Sequence, residues 1–228
     1  MSEESSSSKP DRRTGELDVL AIGSWTFFDH LFSVERLPAP GDTVEITTPT
    51  DVLQERYWGG CSANNAVTVA RLGGESGLAA VAGADFVTSG YKTYIEEVGV
   101  NTDGVHVVED ALCGHSYLFT APDGKAICIS QIGPSRRQAE LLRRIDYYPP
   151  AKVLLVNYIF DSWSVAVARS AREGGSTVVI SGNLAAGASN PAALLSEAHI
   201  VISTEHELSA LLASLGVDGY ANLLSEYS

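Results

Sequence analysis

Apolar residues along this chain fall into short runs, separated by longer stretches where they recur every three or four positions. Leu17 to Gly23, LDVLAIG, is almost continuously apolar and ends in glycine, which predicts a strand buried on both faces of a parallel sheet. Similar runs alternate with helical patterns further on: GLAAVAG before DFVTSGYKTYIEEVGV, KVLLVNYIF before SWSVAVARSAREGG, STVVISG before NPAALLSEA, and HIVIS before TEHELSALLASLG. Repeated strand-then-helix units predict an α/β fold with a mostly parallel central sheet flanked by helices. Val87, Tyr91, Tyr94, Ile95 and Val98 recur at helical spacing, so these tyrosines are expected in the core.

Two segments break the alternation. From Phe32 to Trp58, Pro38, Pro40, Gly41 and Pro49 punctuate stretches such as DTVEITT, whose period of two predicts half-exposed antiparallel strands. From His115 to Gln131, HSYLFT and KAICISQ flank Pro122-Asp123-Gly124 and predict a hairpin. The two excursions, about 32–58 and 111–132, can pair into a small sheet over the main one. Residues 1–16 are serine-rich and charged, with no large apolar side chain after Met1, and predict a disordered tail before one domain over 17–228.

Composition narrows the partners. The chain has 228 residues, enough for one large domain. Its net charge of −13, from 28 acidic against 15 basic residues, repels a phosphate backbone and argues against nucleic acid. The longest basic runs, Arg136-Arg137 and Arg143-Arg144, sit at helical spacing and read as a solvated face. Cys61, Cys113 and Cys128 form no CxxC pair and leave an odd count, so neither a zinc site nor a disulfide framework is expected, and a cytoplasmic location fits. No apolar run approaches 18 residues, which argues against a membrane span.

The stretch with the most chemistry is Trp58 to Gly74, WGGCSANNAVTVARLGG. Gly59 and Gly60 expose main chain at a turn, and Ser62, Asn64 and Asn65 offer donors and acceptors at a helix entry where free N–H groups point outward. The same residues also suit a plain tight connection with Ser62 as helix cap.

Four segments in order, IGSWTFFDH, LPAPGDT, GGCSANNAVTVARLGG and AGAD, resemble the ribokinase-like, or PfkB, family of carbohydrate and nucleoside kinases, over about Leu17 to Leu212. The resemblance implies a ribokinase-like fold with a small β-sheet lid, ATP and Mg2+ as cofactors, and a sugar or nucleoside substrate. It implies that Asp29, Gly59, Gly60 and Asn64 form the substrate floor, while His30 is incidental and Asn65 structural. A polyol is well held by a carboxylate and an amide, which accept and donate to neighbouring hydroxyls. The family's later phosphate and magnesium motifs match in part. Asn183 and Glu207 correspond, with Glu205 nearby, while Ser181 and Thr204 stand where the family has Asp and Asn. Glu205 and Glu207 equally suit a helix first turn, where the dipole favours acids.

The family's glycine-rich Gly-Ala-Gly-Asp segment, which carries the anion hole and catalytic base, has no counterpart before Ser228; the base is expected beyond that residue. Ala82-Gly83-Ala84-Asp85 is a lookalike in the wrong place, and Asp85 is expected to cap its helix. Three readings stay open for the chain: a truncated kinase, a non-catalytic sugar- or nucleoside-binding pseudokinase, and a protein completed by another chain. A homodimer through the lid strands is a further possibility.

Overall fold

The strand encoded by LDVLAI, β1 (Leu17–Ile22), lies in the interior of the main sheet, which accounts for its apolar composition on both faces. The computed structural model describes residues 16–142, 150–182, 188 and 190–219. In the main sheet the order is β10 (Ile200–Ile202), β9 (Thr177–Ser181), β8 (Ala151–Asn157), β1, β4 (Ser76–Gly83) and β5 (Val100–Val108), and every pairing is parallel. The expected α/β architecture is therefore what the chain forms. From β1 the chain first builds outward through β4 and β5, then returns to β8 on the other side and continues to β9 and β10. The loops after β1 and β8 consequently part in opposite directions, leaving a crevice at the carboxyl ends of these two strands.

Alternation along the strands sorts the core into two layers. Leu20, Ile22, Val81, Leu154, Val156, Val178 and Ile180 face one side, covered by α5 (Ser162–Glu173), α6 (Pro191–Leu195) and α7 (Glu205–Leu215). Ala21, Leu78, Ala80 and Ala82 face the other, beneath α1 (Cys61–Arg71) and α3 (Tyr91–Glu97). Small alanines on this second face let α1 lie close, and they leave room for an aromatic group of Phe27, Phe28, Phe86 and Tyr91. As the periodicity implied, Tyr91 and Ile95 are buried, while Val87 is exposed. Short helices α2 (Asp85–Thr88) and α4 (Gln138–Leu141) complete the described elements used below.

A second sheet of four strands runs β3 (Tyr57–Trp58), β2 (Phe28–Ser33), β6 (His115–Thr120) and β7 (Ala126–Gln131). The hairpin read from Pro122-Asp123-Gly124 is present, with β6 and β7 antiparallel. Two details differ from the alternating pattern. β2 starts at Phe28, earlier than the excursion at Phe32, and pairs with β6 in parallel. The DTVEITT segment forms only an isolated bridge, Val34 to Ile46, rather than a strand. Its side chains are mostly exposed and prolines flank it, so no buried face fixes a register. Residues 1–15, Arg143-Arg144, Asn183 and the last nine positions lie outside the described residues.

Truncating Phe27, fully buried with its ring 5.1 Å from Phe86 and 6.4 Å from Tyr91, tests the second layer. Phe27→Ala should cost about 3–5 kcal/mol, measured from urea unfolding midpoints; a loss below 1 kcal/mol would contradict this packing.

Candidate functional site

The crevice between β1 and β8 is closed underneath by a buried polar clip. Ser62, in the first turn of α1, directs its hydroxyl at the carbonyls of Ile22 and Gly23 and accepts from Asn157 Nδ2 at 3.0 Å. Asn157 is the last residue of β8 and is buried; its Oδ1 lies 3.4 Å from Asn65 Nδ2. Ser62 is therefore not the helix cap, a position taken by Gly60 without a side-chain bond, because its hydroxyl is turned back to β1; Asn65 has a structural partner. Together they pin the start of α1 to the ends of both diverging strands.

Just before α1, Gly59 donates its N–H to the Phe27 carbonyl at 2.9 Å and accepts from the Tyr91 hydroxyl at 2.8 Å. Burial pushes the Tyr91 phenol well above its ordinary range, so the hydroxyl keeps its proton and remains a donor. A Cβ at Gly59 would collide with the Asp29 carboxylate. Gly60 adopts φ 91°, and a Cβ there would strike the Thr26 carbonyl. The room created by both glycines is therefore filled from within the protein. Gly59 lets the Asp29 carboxylate lie against the turn, and Gly60 lets the turn lie against the loop after β1.

Asp29 sits on β2 and pairs with Tyr57 and Ser116 on either side. It is half-buried; burial pushes its carboxyl above the usual carboxylate range, opposed by a hydrogen bond from Ser116 and by the nearby His30. Ser116 in turn lies 3.1 Å from both Thr26 Oγ1 and Ser130 Oγ. Of the four proposed floor residues, Asp29 lies directly against Gly59, while the neighbouring Gly60 lies against Thr26 and Ser24. Asn64 follows in the first turn of α1 with its side chain exposed.

Across the crevice stands Tyr158, immediately after β8. Among the described residues it is the non-glycine with positive φ, 52°, a conformation that costs energy and concentrates at functional sites. Its ring packs 5.8 Å from Trp25 and fills the space a Cβ at Gly182 would need. The phenol is pushed upward, chiefly by burial. The only sequence signal for it was Gly182, whose role depends on a ring 24 positions away.

The residues matched to phosphate and magnesium motifs lie at the start of α7. Thr204 and Glu207 form a capping box: Glu207 N–H donates to Thr204 Oγ1 at 3.2 Å, and Glu207 Oε2 accepts from Thr204 N at 2.8 Å. One oxygen of Glu207 is thereby committed to its own helix, while Glu205 is exposed. Among the described residues no three His, Cys, Asp or Glu side chains cluster as a metal cage. Asn183 lies outside the described residues.

Asp85 departs from its expected role. The α2 N-cap is Ala84 without a side-chain cap, and the buried Asp85 carboxylate instead accepts from the Cys113 main-chain N–H at 2.7 Å and contacts His115 at 3.3 Å. It ties α2 to the root of the second sheet because the buried main chain of Cys113 offers a donor that its helix does not need. His30, read as incidental, belongs to the same chain of contacts through His115.

With this geometry in place, comparison with known proteins is informative. The model of the pfkB family of carbohydrate kinases matches residues 18–226. A nucleoside kinase of Methanocaldococcus jannaschii is 28% identical over 127 residues, covering 56% of this chain and 40% of that protein. Its crystal structure superposes with a TM-score of 0.70 over 90% of this chain and 66% of that one, at 22% identity. An ATP-dependent ribose-1-phosphate kinase of Halopiger xanaduensis is 28% identical over 200 residues, 85% of this chain and 64% of the relative. A ribokinase of Cryptococcus neoformans, solved with ADP, gives a TM-score of 0.67 at 25% identity, covering 90% of this chain and 62% of that one. The chain thus spans between two fifths and two thirds of the length of these proteins. Its fold is that of the ribokinases.

Because the Asp29 pKa is raised, its ionised form is disfavoured in the folded state; stability is lost as pH rises through the folded pKa and is regained only below the unfolded value of 3.8. Asp29→Asn should therefore melt at a higher temperature than the parent protein at pH 7, with the gap closing in acid. A lower melting temperature at pH 7 would show that the carboxylate is a structural strut.

Proposed function

Since this chain belongs to the pfkB family of carbohydrate kinases, we propose that it binds a sugar or nucleoside in the crevice between β1 and β8 and serves its ATP-dependent phosphorylation. The observation carrying this reading is the Asp29 carboxylate held against the Gly59-Gly60 turn at the entrance to α1. A half-buried carboxylate that retains accepting capacity suits two adjacent hydroxyls, and the outward N–H groups of a helix start suit a further oxygen. Asn64, exposed in the same first turn, adds a group that both donates and accepts.

The lid supplies the second requirement. Asp29, Ser116 and Ser130 share a row across β2, β6 and β7, so closure of this sheet over a polyol brings hydroxyl partners with it and excludes water from the reacting phosphoryl group. For the nucleotide, the start of α7 offers first-turn N–H groups to phosphate oxygens. A magnesium ion carried by those phosphates needs only one or two protein carboxylates, and Glu205 with the uncapped oxygen of Glu207 meets that requirement. When bound, the ion neutralises charge on the transferring phosphoryl group. Asn183 would join these residues. A cytoplasmic setting is supported by three free thiols, Cys61, Cys113 and Cys128. A pairing of two lids is supported by Ile127 and Ile129, exposed on the edge strand β7.

One observation favours a second reading, a non-catalytic binder: Glu207 is engaged in its own capping box, with Ser181 and Thr204 in place of the Asp and Asn that the family motifs carry. Calorimetry with D-ribose, adenosine and inosine separates the cases when combined with a phosphotransfer assay in ATP and Mg2+. Binding with turnover supports the kinase, and binding without turnover supports the silent binder. Asp29→Ala should weaken any detected affinity by about 10- to 100-fold, the loss of a charged hydrogen bond; an unchanged affinity would remove Asp29 from the floor.

A further inference from the structure

The two halves of the proposed floor belong to different strands. Asp29 lies on β2, whereas Gly59 and Gly60 follow β3, and the ladder joining them is only two residues long: Phe28 with Trp58, and Asp29 with Tyr57. So short a ladder holds little by itself. On the opposite face of β2 from Asp29, a line of polar side chains crosses this junction. Asp85 Oδ2 on α2 lies 3.3 Å from His115 Nε2, and His115 Nδ1 lies 3.0 Å from His30 Nε2. Arg56, directly before β3, reaches Asp85 Oδ2 at 3.6 Å and lies over the Phe28 ring at 4.5 Å. His115 stacks on Phe28 at 5.1 Å and His30 on Tyr117 at 4.8 Å, so the rings cannot easily turn away.

Proton positions follow from the acceptors. Burial works to raise the Asp85 carboxyl, but the bonds from Cys113 and His115 outweigh it, so Asp85 is ionised and can only accept. His115 then turns an Nε2–H toward it. The other His30 nitrogen lies at the Glu55 main-chain carbonyl, an acceptor, and donates its N–H there. His115 Nδ1 and His30 Nε2 face each other at 3.0 Å and hold together through a single shared proton. A second proton there sets two donors face to face, breaks the contact and adds positive charge beside the Asp85–Arg56 pair.

We propose that Asp85, His115, His30 and Arg56 form a proton-sensitive brace, in which proton uptake by the His30–His115 pair breaks their contact, drives Arg56 and the following β3–Gly59–Gly60 segment away from β2 and so opens the substrate floor. His30, His115 and Asp85 are positioning residues for Asp29, and this role rests on the floor reading above. The groups facing His30 are Asp29 on its own strand, Glu55 and Arg56 before β3, His115 and Tyr117 on β6, and Asp85 beyond His115; Cys113 faces Asp85 and is pushed upward by burial. Burial, then His115 and Arg56, hold His30 below its ordinary 6.5, outweighing the Glu55 carbonyl and Asp29. The brace is therefore intact at neutral pH and fails as the solution is acidified below 6.5.

Amide hydrogen exchange of the full chain reads this without any ligand. The Gly59 N–H is bonded to the Phe27 carbonyl across the junction. Its protection, corrected for the intrinsic rate, should fall about tenfold between pH 7.5 and pH 5.0, the effect of losing about one hydrogen bond to a charged group. In His30→Gln, which can still donate to His115 but does not titrate, protection should stay level over that range, while His115→Gln should lower it at both pH values. The same drop in His30→Gln as in the parent protein, or no drop in the parent, overturns the brace. Affinity for D-ribose and adenosine measured at the same pH values addresses the other reading: if neither binds while the exchange pattern holds, the sugar floor is wrong and the brace stands.

Discussion

Ser62 and Asn157 form the contact on which the rest of the site depends. β1 and β8 are neighbours in the sheet, yet the chain leaves them in opposite directions, and the crevice so created has unpaired main-chain groups along its bottom. The Ser62 hydroxyl satisfies carbonyls at the end of β1, and the Asn157 amide satisfies Ser62 from the end of β8. Once that clip is made, the first turn of α1 has one possible height above the sheet. The Gly59-Gly60 turn must then pass close under β2, close enough that only glycine fits at either position.

Crowding in one place allows openness in the next. Gly59 and Gly60 yield their side-chain space to Asp29 and Thr26, which brings a half-buried carboxylate to the mouth of a helix start, where Ser116 and the nearby His30 only partly offset its burial. That arrangement is unfavourable for folding and suitable for holding hydroxyls, the usual sign that a group is kept for binding. Tyr158 carries a similar cost on the other wall, in its left-handed backbone conformation, and Gly182 makes room for it. Around both, the root of the second sheet is fastened by Asp85 and two histidines rather than by a long ladder.

Several of these features were legible from residue order. The apolar runs identified the parallel strands because burial on both faces leaves no polar positions, and Pro122-Asp123-Gly124 marked its hairpin because few other sequences turn so tightly. DTVEITT misled because alternation only marks a strand where one face is buried, and this segment has no partner to bury it. Asp85 was misassigned for a related reason. An acid at the start of a helix is normally its cap, and nothing within the segment reveals a buried main-chain N–H at Cys113, 28 positions away, that needs an acceptor.

The sequence by itself determined the family, the layered α/β plan and the identity of the Asp29 and Gly59-Gly60 pair, because these depend on local patterning and on short segments whose order is preserved. Only the tertiary structure decided what the glycines accommodate, why Ser62 and Asn157 belong together, and that His30 meets His115. Each of these depends on atoms brought within hydrogen-bond or van der Waals distance across 30 to 95 positions of chain. A hydrogen bond or a steric exclusion acts over a few ångströms, and one-dimensional spacing carries no record of which distant residues the fold will bring that close.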